Sequence, residues 1–435
     1  MPAIVTDQFR ITNAGNFVDS VLNESNSYYV FLGLPNPAGK DGIAGFGRTT
    51  TWNDNIPDPT DNQQYLTHYR DTSLFGKKIN ASNVRRVVKK HTWAANTRYD
   101  MYRHDYRIKD GDENKAPNSQ SGSLYRTNYY VITSEFKVYI CLDNGGFGDS
   151  TSNDAKGNGS KDEPTFTDLE PAAAGTSNDG YLWKYLFTVA PSDVVKFDSI
   201  EYIVLPNDWS TSTDSQIQAV RENGDSDINK NQIRKVYIQN SGSGYTNGQQ
   251  VCDILGDGTG AQVLVTVSNG EIVDTVVTAG GSGYTYGIVN LKNIGNSNLV
   301  ADKRATLIPI IPPSKGHGFD IYTELGSDKV LVYSRFDDST KDFPSDTHFG
   351  QVGIIKNPNG TNNTGILTTS QFSSLSAIKL TSDIADSVKN DIVGRTITQI
   401  VTDGTAKGIV ASYDSETFVL KYIQDRSLYL NPVTG

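Results

Sequence analysis

The sequence predicts a mainly β protein: a multi-layer β-sandwich core with a few short helices, an inserted small β-module and a C-terminal β-rich module. Alternation is the first observation behind this. In NDGYLWKYLFTV (178–189), Tyr181, Trp183, Tyr185, Phe187 and Val189 share one face at period two, the signature of a strand. Punctuation is the second: Gly (40) with abundant Asn, Ser, Thr and Asp supplies frequent turns, while long helical runs are scarce. At 435 residues the chain exceeds one ordinary core, so several modules are expected.

From the N-terminus, NFVDSVLNE (16–24) spaces Phe17, Val18, Val21 and Leu22 as a helix, and SYYVFLG (27–33) reads as a strand. NASNVRRVVKKHTW (80–93) places Val84, Val87, Val88 and His91 at i, i+3, i+4 and i+7. That spacing predicts a helix with Ser82 as N-cap and Arg85, Arg86, Lys89 and Lys90 on its opposite face. TNYYVITSEFKVYICLD (127–143) reads as a hairpin turning near Ser134 and Glu135, and SIEYIVLP (199–206) as a further strand. The connection 144–180 is too long for a simple loop and is read as a functional or assembly loop.

Residues 208–232 read as a polar linker, after which the texture changes. SGSGYTNG (241–248) recurs as GGSGYTYG (280–287), and between them two alternating strands flank the turn SNGE. A fainter echo lies at 402–423. DKVLVYSRFD and FGQVGIIKNPNG read as core strands, and SDIADSVKN as a short helix. The expected division is a discontinuous sandwich core of 1–215 together with 304–363, an inserted β-module at 216–303, and a C-terminal β-rich module at 364–435 that is either diverged or incomplete.

A net charge of −10 and a pI near 5.1 argue against nucleic acid or an anionic membrane as the partner of the whole chain. Two cysteines, Cys141 and Cys252, imply no disulfide framework, and MPAIVTDQFR shows no secretion signal. GLPNPAGKD (33–41) departs from a phosphate loop, with five residues before the Gly-Lys pair and two prolines that lack N–H donors. DGDEN (110–114) and DSDIN (225–229) begin like calcium loops but have lysine at position six and no Glu at twelve. His68, His91, His104, His317 and His348 are not at metal-ligand spacing, and no Gly-x-Ser-x-Gly elbow occurs. The expectation is therefore no catalytic residue, no metal, no cofactor and no small-molecule substrate. The aromatic strand, continuous with Val189 and half-covered by Leu182 and Leu186 behind, reads as core or subunit interface rather than a ligand platform.

AIVTDQFR, VRRVVKKHTWAANTRYDMY (84–102), VYICLD (138–143), DGYLWKYLF (179–187), EYIVLP (201–206) and FGQVGIIKNP (349–358) occur in that order. The series resembles the baseplate wedge subunit of T-even-like contractile-tailed phages, the product of the eighth wedge gene. The resemblance covers about residues 3 to 206 and 316 to 358. It implies a non-catalytic virion protein, mostly β-sandwich, made in the host cytoplasm, that forms homodimers and joins other wedge proteins in the tail baseplate. The module 233–300 has no counterpart in the short members and points to a larger, cyanophage-type member. On this reading the candidate partner contacts are Arg85, Arg86, Lys89, Lys90 and Trp93, with the loop 144–180. An alternative reading, a host-glycan- or receptor-binding tail protein, takes Tyr245 and Tyr284 of the repeated turns as glycan contacts.

Overall fold

A computed structural model describes residues 6–37, 73–109, 111, 113–226, 229, 232–294, 303–336, 347–360, 365–402 and 404–425. The protein is mainly β, with six sheets and a few short helices among the described residues. It divides into two compact units, one of residues 1–18 and 85–331, the other of 19–84 and 332–435.

The first unit is organised around the sheet β4 (Tyr130–Ile132), β5 (Lys137–Asn144) and β6 (Tyr181–Thr188), in that spatial order. The β4–β5 hairpin turns where the sequence predicts, with Phe136 at φ 58° and its N–H donating to the Thr133 carbonyl. The aromatic strand is β6, and Tyr181, Trp183, Tyr185 and Phe187 are each at most 1% exposed. Lys184 and Leu186 on its reverse face are buried too, so the strand lies between layers. Tyr181 stacks on Trp183 (centroids 5.2 Å apart), and Tyr99 meets the same indole edge-on at 5.9 Å.

Two expectations are corrected here. Residues Val84–Lys89 form a strand, β3, not a helix. Three of its six residues are valines, which favour a pleated chain, and it pairs with β7 (Tyr202–Val204), Val88 opposite Ile203. Val84, Arg86 and Val88 are buried on one face and Val87 on the other; burial of both faces imitates helical spacing. Ser82 is no helix cap; its N–H donates to Asn80, which caps the single turn Ala81–Asn83. The stretch 208–232 is likewise not a free linker. Trp209 is buried, its indole donating to the Phe319 carbonyl at 3.0 Å. Helix α3 (Ser215–Gly224), which follows α1 (Asp7–Leu22) and α2 (Pro191–Phe197) in chain order, is capped by Asp214 and buries Val220.

Within the same unit, β8 (Val236–Asn240) pairs with β13 (Thr306–Pro309) beside the sheet β11 (Glu271–Ser282), β10 (Thr259–Ser268), β9 (Gly248–Gly256) and β12 (Gly287–Val289). The repeated Gly-Ser-Gly-Tyr-Thr turns shape its core. Gly242 and Gly281 have φ of 63° and 64°, and a Cβ at either would come within 2.7 Å of the ring of Tyr245 or Tyr284. Each tyrosine hydroxyl then accepts a backbone N–H, from Ala305 at 2.7 Å and from Ala261 at 3.2 Å. The repeat is a packing device: a left-handed glycine lets an aromatic ring fold back over its own turn.

The second unit is a sandwich of two sheets. One orders β15 (Thr347–Lys356), β1 (Tyr28–Pro37), β2 (Ser73–Ile79) and β16 (Gln371–Ser373). The other orders β17 (Ser376–Lys379), β20 (Val419–Asp425), β19 (Gly404–Asp414) and β18 (Thr396–Val401). Leu74 and Phe75 of the first pack with Ala411 and Ile423 of the second, joined by Leu32, Phe336 and Leu375. The short helix expected in 382–390 is Asp386–Lys389.

Lys184 provides a test of the first unit's core. Its ammonium donates to the Leu169 carbonyl and to Asn223 Oδ1 (2.6 Å), and burial pulls its pKa down to about 8. The unfolded chain keeps that proton to near 10.5, so this group's destabilisation is complete below pH 8 and fades as pH rises toward 10.5. The stability of Lys184→Met relative to the parent is expected to fall by about 3 kcal/mol between pH 7 and 10.5, whatever its value at pH 7. Thermal unfolding of both proteins across that range measures it; parallel curves would contradict the burial of a charged lysine.

Candidate functional site

The basic segment does not present a basic face. Arg85 forks onto Asp193 of α2, Nε to Oδ2 at 3.0 Å and Nη2 to Oδ1 at 2.9 Å, with its guanidinium 5.4 Å from the Phe197 ring centroid. Arg86 is 8% exposed and lies 4.0 Å over the Tyr322 ring. Its Nη2 donates to the carbonyls of Ile11 (3.2 Å) and Ser327 (3.1 Å), tying α1 and the turn before β14 (Lys329–Val332) to β3. Lys90 bonds Asp198 at 3.0 Å and the Ser199 carbonyl at 2.9 Å. Trp93 is half-buried, its indole N–H donating to Ser160 Oγ at 3.0 Å. Lys89 is exposed, and its charge helps push the half-buried His91 down to about 4, after the larger effect of burial. Of the candidate contacts, Lys89 alone stands out into solvent; alternation along a strand, invisible while the segment reads as a helix, turns Arg86 inward.

The loop 144–180 is ordered by its own polar side chains. Asn144 is 1% exposed, donating to the Tyr99 carbonyl at 2.8 Å and accepting from Gly146 N–H at 2.9 Å. Asp179 caps the start of β6 through Tyr181 N–H (3.0 Å) and holds Lys161 N–H (2.8 Å). The hydroxyl of Tyr181 donates to the Asn158 carbonyl and accepts from Tyr99 N–H, both at 2.9 Å. The loop also joins β8, Gly148 N–H donating to the Ile238 carbonyl at 2.6 Å and Tyr237 hydroxyl to the Gly148 carbonyl at 3.0 Å. Phe147, half-exposed, is the apolar side chain it offers outward.

Tyr245 and Tyr284 are 5% and 2% exposed, so the exposure that a glycan contact needs is not met at either ring. They belong to the buried cluster of the β8–β13 region with Val263, Val265 and Ile272. Nothing in the repeat's composition separates a ring over its own glycine from a ring facing solvent.

Cys141 is buried, and burial followed by Asp143 and Asp100 pushes its thiol up, the wrong direction for a nucleophile. Among the described residues no group of three His, Cys, Asp or Glu side chains is placed to hold a metal. Asp110 and Asp112 of the first calcium-like stretch, Asp227 and Ile228 of the second, and the Gly-Lys pair of the phosphate-loop-like stretch lie outside the described residues. Two further polar clusters lie in the first unit. Arg103, 1% exposed, forks onto Asp105 and lies 4.0 Å over the Tyr237 ring. Glu324, 5% exposed, accepts from Gly318 N–H (2.7 Å) and meets His317 Nδ1 at 2.5 Å. Arg103 and Asp105 are two residues apart, a readable signal; the pairing of His317 with Glu324 depends on the turn between them.

No family model matches the chain. It is similar to the baseplate wedge protein gp8 of Enterobacteria phage T4, 28% identical over 226 residues. The match takes in 47% of this chain and 60% of the relative's length. The likeness to a baseplate wedge subunit therefore holds beyond the short motifs. Several of those motifs are now core strands: 84–102 opens on β3, 138–143 lies on β5, 179–187 on β6 and 201–206 on β7.

The arginines test whether the basic segment is architecture. Arg86→Met leaves the Ile11 and Ser327 carbonyls without that donor and is expected to cost about 2–4 kcal/mol. Lys89→Ser should stay within about 0.5 kcal/mol of the parent. Chemical unfolding of the two variants decides it; equal stability would return Arg86 to the list of surface contacts.

Proposed function

We propose that this chain is a structural subunit of a contractile phage tail baseplate wedge. The observation that carries the reading is the similarity to the T4 wedge protein. The packing supports it: large aromatic and ionic groups that a sequence search would offer as sites are spent inside the units, as Arg86, Trp183 and Tyr284 illustrate. Such a chain works through its outer surface, as a homodimer that joins neighbouring wedge proteins, assembled in the host cytoplasm and carried in the virion tail. It performs no catalysis, and its rigid units move as bodies when the tail contracts. In this reading the chain comprises the sandwich core of 1–215 with 304–363, the inserted module 216–303 and the last module 364–435. The inserted module adds outer surface, since Val251 and Val276 flank Leu264 in adjoining strands and are 40% and 52% exposed.

Quantitative mass spectrometry of purified particles and of isolated baseplates tests the reading. The expected result is a fixed ratio to a tail protein of known six-fold copy number, unchanged when fibres are removed. Absence from particles, or loss together with the fibres, would overturn it.

A further inference from the structure

A cavity of about 470 Å³ in the first unit is lined by Tyr102, Tyr125, Lys315, Asp320 and Glu324, with apolar walls from Leu124 and Phe319. Its size is that of a ligand site rather than a packing defect. Asp320 spends Oδ1 on capping α4 (Ile321–Glu324), through the N–H groups of Tyr322 (3.1 Å) and Thr323 (3.3 Å). Its Oδ2 accepts no hydrogen bond among the described residues, and each Glu324 oxygen, with one contact, keeps a lone pair. Tyr102 is 7% exposed and packs edge-on against His317 at 4.7 Å, yet its hydroxyl makes no hydrogen bond among the described residues. That hydroxyl faces the cavity, where it can bond water or a polar group of a ligand. The lining cation, Lys315, lies 4.3 Å over the Phe319 ring. The Tyr125 hydroxyl is pushed up by burial first and then by the carboxylates of Asp7, Asp320 and Glu324.

We propose that this cavity receives the guanidinium of an arginine presented by a neighbouring protein of the assembly. The source of that arginine rests on the wedge reading; the recognition chemistry does not. A guanidinium is planar, stacks on aromatic rings and forks onto carboxylates, whereas an ammonium is a compact, strongly hydrated charge. The chain seats its own arginines this way, Arg85 between Asp193 and Phe197, Arg103 between Asp105 and Tyr237. With Phe319 already faced by Lys315 and Arg221, the cavity offers the same pairing through Asp320 and Glu324 with the rings of Tyr102 and Tyr125, and the Tyr102 hydroxyl for a further N–H.

The full chain is titrated with N-acetyl-arginine amide and with its uncharged citrulline isostere, followed by saturation-transfer NMR. Arginine should bind about tenfold more tightly than citrulline. Asp320→Asn keeps the helix cap and should unfold at the parent's temperature, yet weaken arginine binding by about tenfold; Tyr102→Phe should weaken it less. Equal binding of arginine and citrulline, or arginine binding unaltered in both variants, overturns the cavity's role. Particles grown with the Asp320→Asn chain test the source. Depletion of that chain from baseplates supports a neighbour's arginine, and retention at the parental ratio overturns it. A parental chain absent from particles refutes the wedge role instead, and leaves the titration standing.

Discussion

Strand β6 is covered on both faces, and much of the first unit follows from what must cover it. Four aromatic side chains on one face remove apolar area worth roughly 15–25 kcal/mol from water before any ordering cost is counted. That area needs walls: Tyr99 reaches the Tyr181–Trp183 stack, Phe166 and Tyr185 flank Tyr139, and Trp209 closes on Phe187. The reverse face carries Lys184, whose desolvation is tolerated because Leu169 and Asn223 accept its protons. The long loop before β6 is ordered for the same reason. The hydroxyl of Tyr181 ends inside it, where the loop supplies the Asn158 carbonyl as acceptor while Tyr99, outside the loop, donates its N–H.

This constraint separates what was legible in the sequence from what was not. Period two in 178–189 exposes β6 directly, and the turn near Ser134 follows from polar residues between two apolar runs. Burial on both faces then defeats the same logic at β3, where adjacent Val87 and Val88 are both core and the pattern falls into helical register. The stretch 208–232 misleads in the opposite sense. Its polar composition hides Trp209 and Val220, single large anchors in a hydrophilic context, which periodicity does not detect. The Gly-Ser-Gly-Tyr-Thr repeat was readable as a repeat but not as an inward one, because the inward turn of Tyr245 and Tyr284 depends on backbone φ at the glycine three residues earlier.

Charge tells a related story. An acidic chain with a run of arginines and lysines suggests a docking face, yet Arg85, Arg86 and Lys90 bond Asp193, Ile11 and Asp198 respectively. Arginine here is an internal fastener, held by a ring and an oxygen acceptor. Phe147 is an exposed apolar side chain, and Tyr125 and Asp320 line a concave site, so neither depends on the basic segment. The likeness to the baseplate wedge protein gp8 of phage T4 accords with a chain that holds these cations internally.

Amide hydrogen exchange, compared between the isolated chain and the chain in purified baseplates, tests the central claim most directly: rigid preformed units that act through their surfaces. The account predicts that β5 and β6 are the slowest segments in both states, with protection gained on assembly confined to surface segments. Fast exchange along β6 in the isolated chain, or no segment gaining protection in the baseplate, would contradict it.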